Sequence, residues 1–258
     1  MKVVICTNNG IRHKFFANSI IENIDEGLII SEVNSSDVRL DEKEDESIIE
    51  HFNIRHKTEL EKFPGNDFFR GKTLPILYKE LNTQYVYDVI KQFSPDMLIV
   101  FGSSIIKKPL ISLLANKIIN LHLGLSPYYR GTGTNFWPFI NNDLGYVGST
   151  ILQLDAGIDT GKIIAQVRPK FEKNDNVHTI GCKVIEKSVP IILKVIEKMK
   201  KGEKINYVEQ WKIENEKYYK DKDFTREILE EYKKNLDDGI IEKYLTNPIS
   251  PKKLITLN

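Results

Sequence analysis

Ser94-Pro95-Asp96-Met97-Leu98-Ile99-Val100-Phe101 decides the fold. Ahead of it, Tyr85, Val86, Val89, Ile90 and Phe93 recur at helical spacing. The Ser-Pro-Asp triplet stops that helix, because a residue before proline is pushed out of the helical region. The five apolar residues that follow have the length and continuity of a strand buried on both faces. A helix feeding straight into a buried strand is the repeating unit of a mostly parallel sheet covered on both sides.

The same alternation extends both ways. Toward the N-terminus, residues 2–7 read as a buried strand, Asn8-Asn9-Gly10 as a turn, 12–23 as a helix and 28–33 as a second strand. Residues 36–72 are expected to be helical, with the charge run at 41–46 as a solvated face. Toward the C-terminus, strands are expected at 118–121, 147–152 and 162–167. Asn176 should cap a helix reaching about Lys201, whose stripe includes Val177, Ile180, Val184, Ile185, Ile192, Val195, Ile196 and Met199; Pro190 should kink it. The fold class is thus α/β, a Rossmann-like and mostly parallel sheet with helices on both faces. After Gly202 the texture changes to short apolar patches among charges, and Asp223-Phe224-Thr225 opens another helix. The division expected is a catalytic domain over residues 1–201 and a small C-terminal extension over 202–258.

Composition narrows the function. The 258 residues suffice for a catalytic domain and an extension, and Lys+Arg of 37 against Asp+Glu of 36 gives a net charge of +1. That balance argues against a surface built around nucleic-acid phosphate: no DNA partner is expected, and tRNA is disfavoured. No apolar run approaches a membrane span and the first residues begin a strand, so a soluble, cytoplasmic protein with small-molecule substrates and no membrane partner is expected. Self-association into a homodimer is left open. Cys6 and Cys182 fall in apolar surroundings and read as core thiols; with no cluster of ligand spacing, no metal is expected.

The chemistry is written in Asn120-Leu121-His122, followed 33 residues later by Asp155 in Leu154-Asp155-Ala156-Gly157-Ile158-Asp159-Thr160-Gly161. Two residues apart on a strand, the Asn120 amide and the His122 imidazole project from the same face. A glycine-bearing loop can bring a carboxylate to them. An oxyanion donor, a proton handler and an anion that orients the imidazole equip a site for acyl transfer, with Asn120, His122 and Asp155 as the catalytic candidates. Asp and Gly also favour tight turns on backbone grounds alone, and for the Asp155 loop both readings can hold together. His13, His51, His56 and His178 read as ordinary core or surface residues. Asn9 and Gly10, at a strand-to-helix turn, and Arg12 and His13, opening the helix, are candidate contacts for an anionic substrate; a plain connection is the alternative.

The string from Asn120 through His122, Pro127, Arg130 and Gly131, then Asn135-Phe136-Trp137, then Asp155-Ala156-Gly157 resembles the core of the folate-dependent formyltransferases. That family includes glycinamide ribonucleotide, methionyl-tRNA and sugar-nucleotide formyltransferases. The resemblance is most specific over residues 101–166. It implies an N-formyltransferase with 10-formyltetrahydrofolate as co-substrate and a folate pocket between two walls: Phe101, Gly102, Ser103, Ser104, Ile105 and Ile106 on one side, Ala156, Gly157, Ile158 and Asp159 on the other. Tyr129 and Arg130 would gate the acceptor, although a loop arginine paired to a carboxylate is an equal reading. The Tyr-Arg-Gly and Asn-Phe-Trp strings look most like sugar-nucleotide formyltransferases, so an amino-sugar nucleotide is the preferred acceptor. Trp211, Tyr218 and Tyr219 are candidates to stack on its base, and Trp137 is expected to pack. Methionyl-tRNA and glycinamide ribonucleotide remain alternative acceptors, and a non-catalytic folate- or nucleotide-binding protein is the alternative of another class. Two departures stand out: Gly124-Leu125-Ser126-Pro127 replaces the family's Ser-Leu-Leu-Pro, and Leu123 replaces a smaller residue or proline.

Overall fold

Alternate residues of the central strands feed two different cores. In β1 (Lys2–Asn8), Val3 and Ile5 pack on one side and Val4 and Cys6 on the other; in β4 (Met97–Phe101), Met97, Ile99 and Phe101 share the first side while Leu98 and Val100 share the second. The first side is closed by α1 (Ile11–Ile21) and α6 (Val177–Lys200), the second by α3 (Gln84–Phe93) and α4 (Lys108–Leu113). Strands covered on both faces must read as continuous apolar runs, as these do. The computed structural model describes residues 1–33, 45–214 and 216–257.

Among the described residues the sheet has seven strands in the order β3-β2-β1-β4-β5-β7-β8. β1, β2 (Glu26–Val33), β3 (Lys72–Leu77), β4 and β5 (Ile118–His122) are parallel neighbours; β7 (Ser149–Gln153) runs antiparallel to β5, and β8 (Ile163–Val167) antiparallel to β7. The mostly parallel α/β architecture expected from the sequence is present. A short second sheet pairs β6 (Tyr129–Gly131) with β9 (Lys217–Tyr219), joining the chain just beyond β5 to the residues after Gly202.

Individual elements follow local chemistry. Asn176 caps α6 by accepting from the His178 and Thr179 amides, and Thr179 returns a bond to the Asn176 amide. α6 continues past Pro190 as one element of 24 residues. In the 36–72 segment, α2 (Glu46–Lys62) is helical as expected, but its end holds β3, which the sequence reading missed. β3 is an exposed edge strand carrying Pro75, so it lacks the apolar alternation that announces a strand. Most of the 41–46 charge run lies outside the described residues.

A third core joins both parts of the chain. Phe136, Trp137 and Phe139, in and beside α5 (Trp137–Ile140), and Val177, Ile180 and Val184 of α6 pack with Leu229 and Tyr232 of α7 (Arg226–Asp237) and Ile240 and Ile241 of α8 (Ile240–Thr246). Thr225, the last of the three residues expected to open this helix, caps α7 through the Ile228 amide. Cys6 and Cys182 are free and buried; burial pushes the Cys182 thiol up to about 12 and Cys6 higher still. Neither is a nucleophile at neutral pH.

Candidate active site

β5 delivers Asn120 and His122 to one face. Ile119 and Leu121 point into the first core, leaving the two polar side chains on the opposite side at the strand's C-terminal end. β5 is held between Val100 of β4, opposite Asn120, and Thr150 of β7, opposite His122. The turn beyond His122 is pinned from below. Thr150 Oγ1 donates to the Gly124 carbonyl at 2.6 Å and accepts from the Ser126 amide at 2.9 Å, while the Gln166 side chain donates to the Ser126 carbonyl at 2.7 Å.

The carboxylate that meets this pair is Asp159, not Asp155. Asp159 Oδ2 lies 3.3 Å from His122 Nδ1, its Oδ1 accepts from the Asn120 amide at 3.4 Å, and the Gly131 amide donates to Oδ2 at 3.3 Å. The Asp155 carboxylate instead accepts from the Gly157 amide at 3.0 Å and the Thr160 hydroxyl at 2.8 Å, on the exposed side of its own loop. Asp-x-Gly is a turn pattern, and Asp155 is spent on that turn. The sequence reading had placed Asp159 only in the folate wall.

His122 is 7% exposed and faces an acceptor at each ring nitrogen: Asp159 at Nδ1 and the Tyr129 carbonyl, 3.1 Å away, at Nε2. A ring carrying one N–H satisfies one of these acceptors at a time; a ring carrying two satisfies both. Gly124 explains one departure from the family string. A β-carbon there would meet His122 Nε2 at 2.5 Å and Thr134 Oγ1 at 2.6 Å, so the imidazole occupies space that a serine would need.

Several other candidates are placed differently from the expectation. The Arg12 guanidinium is in a part-buried ion pair with Glu59 of α2, Nε to Oε1 at 2.6 Å, and the Arg12 amide also donates to Glu59. His13 packs on Phe101 and under Gly102; burial, with Arg12 and Arg55 nearby, lowers its pKa well below the ordinary imidazole value. Asn9 donates its amide to Asn8, and Gly10 caps α1 without a side-chain bond. The Tyr129 ring is buried with its hydroxyl donating to Asp143 at 2.9 Å, and only its carbonyl reaches the site. Arg130 bonds the Gln210 side chain at 2.7 Å and pairs with Glu216, the carboxylate-paired alternative. Among the extension aromatics, Tyr219 is stacked on Trp137 at 4.0 Å and Trp211 packs edge-on against Tyr128 beneath Lys253; Tyr218 is 44% exposed.

The two proposed folate walls are less uniform. Phe101 and Ile106 are core residues, while Ile105 is 68% exposed; Ser104 is tied by amide and hydroxyl to the buried Glu32. On the other segment Ala156 and Gly157 are exposed and Ile158 is 44% exposed. Each segment thus carries one isoleucine that the core does not use, Ile105 and Ile158. Among the described residues no group of three or more His, Cys, Asp or Glu could hold a metal ion, and no helix is long and apolar enough to cross a membrane.

The fold is that of a recognised family. The model of the family described as formyl transferase matches residues 55–196, more than half of the chain, and the chain belongs to that family. A methionyl-tRNA formyltransferase of Prochlorococcus marinus is 27% identical over 184 residues, covering 69% of this chain and 53% of the relative. The chain spans about half the length of that curated relative. Among solved structures, phosphoribosylglycinamide formyltransferase from Anaplasma phagocytophilum superposes with a TM-score of 0.58 at 16% identity, covering 85% of this chain and 97% of that one. An N-formyltransferase from Helicobacter canadensis, in complex with folinic acid and dTDP-3-aminofucose, gives 0.54 at 17% identity, covering 87% and 72%.

Proposed function

We propose that this chain is an N-formyltransferase that uses 10-formyltetrahydrofolate to formylate a primary amine on an amino-sugar nucleotide. The observation that carries the chemistry is the single carboxylate, Asp159, shared by the Asn120 amide and the His122 imidazole. The folate co-substrate supplies an activated one-carbon group. As an amine adds to a formyl carbon, negative charge gathers on the formyl oxygen while the amine nitrogen must lose a proton. Asn120 has a second amide hydrogen beyond the one directed at Asp159, and it serves as one donor to that oxygen. His122 is the other, its Nε2 proton moving from the Tyr129 carbonyl toward the oxygen. Asp159 holds the imidazole in orientation and takes the amine proton, directly or through a water; as the bond from the formyl carbon to N10 of the folate breaks, that proton passes to N10 and tetrahydrofolate leaves.

The acceptor rests on less. The strings Tyr129-Arg130-Gly131 and Asn135-Phe136-Trp137 support a sugar nucleotide, as does the fold shared with an N-formyltransferase solved with a dTDP-linked amino sugar. Of the three aromatics considered for base stacking, Tyr218 suits the role best, since Tyr219 is committed to Trp137. The case against tRNA is weaker than composition suggested, because the curated relatives that share this region are methionyl-tRNA formyltransferases. The test is a panel of amino-sugar nucleotides, glycinamide ribonucleotide and charged initiator tRNA, each incubated with 10-formyltetrahydrofolate. Formylation of an amino-sugar nucleotide supports the reading; formylation of tRNA alone overturns the acceptor and leaves the chemistry; folate binding with no transfer to any amine favours the non-catalytic alternative.

A further inference from the structure

We infer that Gln210 is a positioning residue for the Asp159 carboxylate, so that the segment after Gly202 completes the reacting site. The inference rests on the reading of Asp159 given above. Asp159 lies at φ +52°, the left-handed region that residues other than glycine rarely adopt. Such a backbone persists only where the surroundings over-determine it. Apolar burial does not do so, because residues 155–158 and Thr160 are exposed. Gln210 does: its Nε2 donates to the Asp159 carbonyl and to the Gly161 carbonyl, each at 2.7 Å, clamping the loop on both sides of Thr160.

The direction of the Gln210 amide is fixed from its other end. Arg130 Nη2 donates to Gln210 Oε1 at 2.7 Å, and a guanidinium can only donate, so the amide oxygen must face Arg130 and the NH2 group must face the two carbonyls. Arg130 is itself held by Glu216. The backbone on either side of Gln210 is anchored as well: Val208 exchanges two hydrogen bonds with Ile163 of β8, both 2.8 Å, and β9 pairs with β6. The result is a closed circuit. β6 gives its Tyr129 carbonyl to His122, its Gly131 amide to the Asp159 carboxylate and its Arg130 side chain to Gln210, which returns to the Asp159 backbone.

Displacing a catalytic group by about 1 Å can cost on the order of a hundredfold in rate, so losing the clamp should appear in turnover. For Gln210→Ala we expect kcat to fall roughly tenfold to a hundredfold with the folate KM within about threefold. Gln210→Glu keeps the size and the acceptor for Arg130 but sets an oxygen against the two carbonyls, and the same fall is expected. A double-mutant cycle separates positioning from general support: in an Asp159→Asn background, Gln210→Ala should lower the rate by less than about twofold more, since there is no longer a carboxylate to place. Hydrogen exchange needs no acceptor, and peptides covering residues 154–162 should exchange faster in both variants at an unchanged Tm. Wild-type kcat in a folded Gln210→Glu protein, full additivity in the cycle, or unaltered exchange over 154–162 would overturn the inference. If Asp159→Asn itself turns over at the wild-type rate, the assignment of Asp159 fails and the clamp is judged on exchange alone.

Discussion

Replacing Asp159 and Asp155 separately, each by Asn, distinguishes two carboxylates that look alike in the sequence. Asp159 Oδ2 is 3.3 Å from His122 Nδ1, and both side chains are nearly buried. At an effective dielectric constant of about 20, two unit charges at that separation interact by about 5 kcal/mol. If about half of that acts on charge that develops during the reaction, Asp159→Asn raises the barrier by about 2.5 kcal/mol, close to a hundredfold in rate. Asp155→Asn leaves an oxygen to accept from the Gly157 amide and the Thr160 hydroxyl, so turnover should stay within about threefold of wild type. The assay is formyl transfer from 10-formyltetrahydrofolate at saturating acceptor, with folate affinity measured in parallel. An inactive Asp155→Asn beside an active Asp159→Asn would refute the reasoning.

Further outcomes follow from other contacts. Gly124→Ala places a β-carbon 2.5 Å from His122 Nε2, so the imidazole must move; steady-state kinetics should show kcat reduced roughly tenfold or more with little change in folate KM. Glu59→Gln removes the charge that pairs with Arg12 and should destabilise the fold by about 2 kcal/mol in urea titration while folate affinity in the folded protein holds. The His51 and His178 rings meet at a tilt, 4.4 Å between centroids, inside an aromatic cluster, and burial, the largest cause for each, holds both below the ordinary imidazole value of 6.5. The unfolded chain takes up these protons first as pH falls, so stability is fully present above about pH 6.5 and is lost on acidification below it. Urea midpoints between pH 7 and pH 5 should show that loss, and it should be smaller in His178→Leu.

Much of the fold was legible because buried parallel strands and capped helices write themselves locally. Met97–Phe101 matches its strand residue for residue, and the Asn176 cap starts α6 where expected. β3 was illegible because an edge strand facing solvent needs no apolar alternation. β6 and β9 were illegible because three residues held by pairing between distant segments leave no periodic trace. In the site, the shared face of Asn120 and His122 could be read from strand period and their role only from the family resemblance, while Asp155 and Asp159 both sit in Asp-Gly contexts. Spacing does not separate them, since Asp159 stands two residues before Gly161 as Asp155 does before Gly157; only the folded loop, which turns Asp155 onto Gly157 and Thr160 and Asp159 onto the imidazole, tells them apart. Gln210 carried no signal at all, since its role exists only once residues 130, 159 and 210 are brought together.

The central claim is that Asn120, His122 and Asp159 form one formyl-transferring unit in this chain by itself. Mass spectrometry of an amino-sugar nucleotide incubated with the purified protein and 10-formyltetrahydrofolate tests it most directly, run beside Asp159→Asn. The account predicts an acceptor heavier by one formyl group on its amine, dependent on the folate and formed at least about a hundredfold more slowly by the variant. Formylation at equal rates by wild type and variant would contradict it.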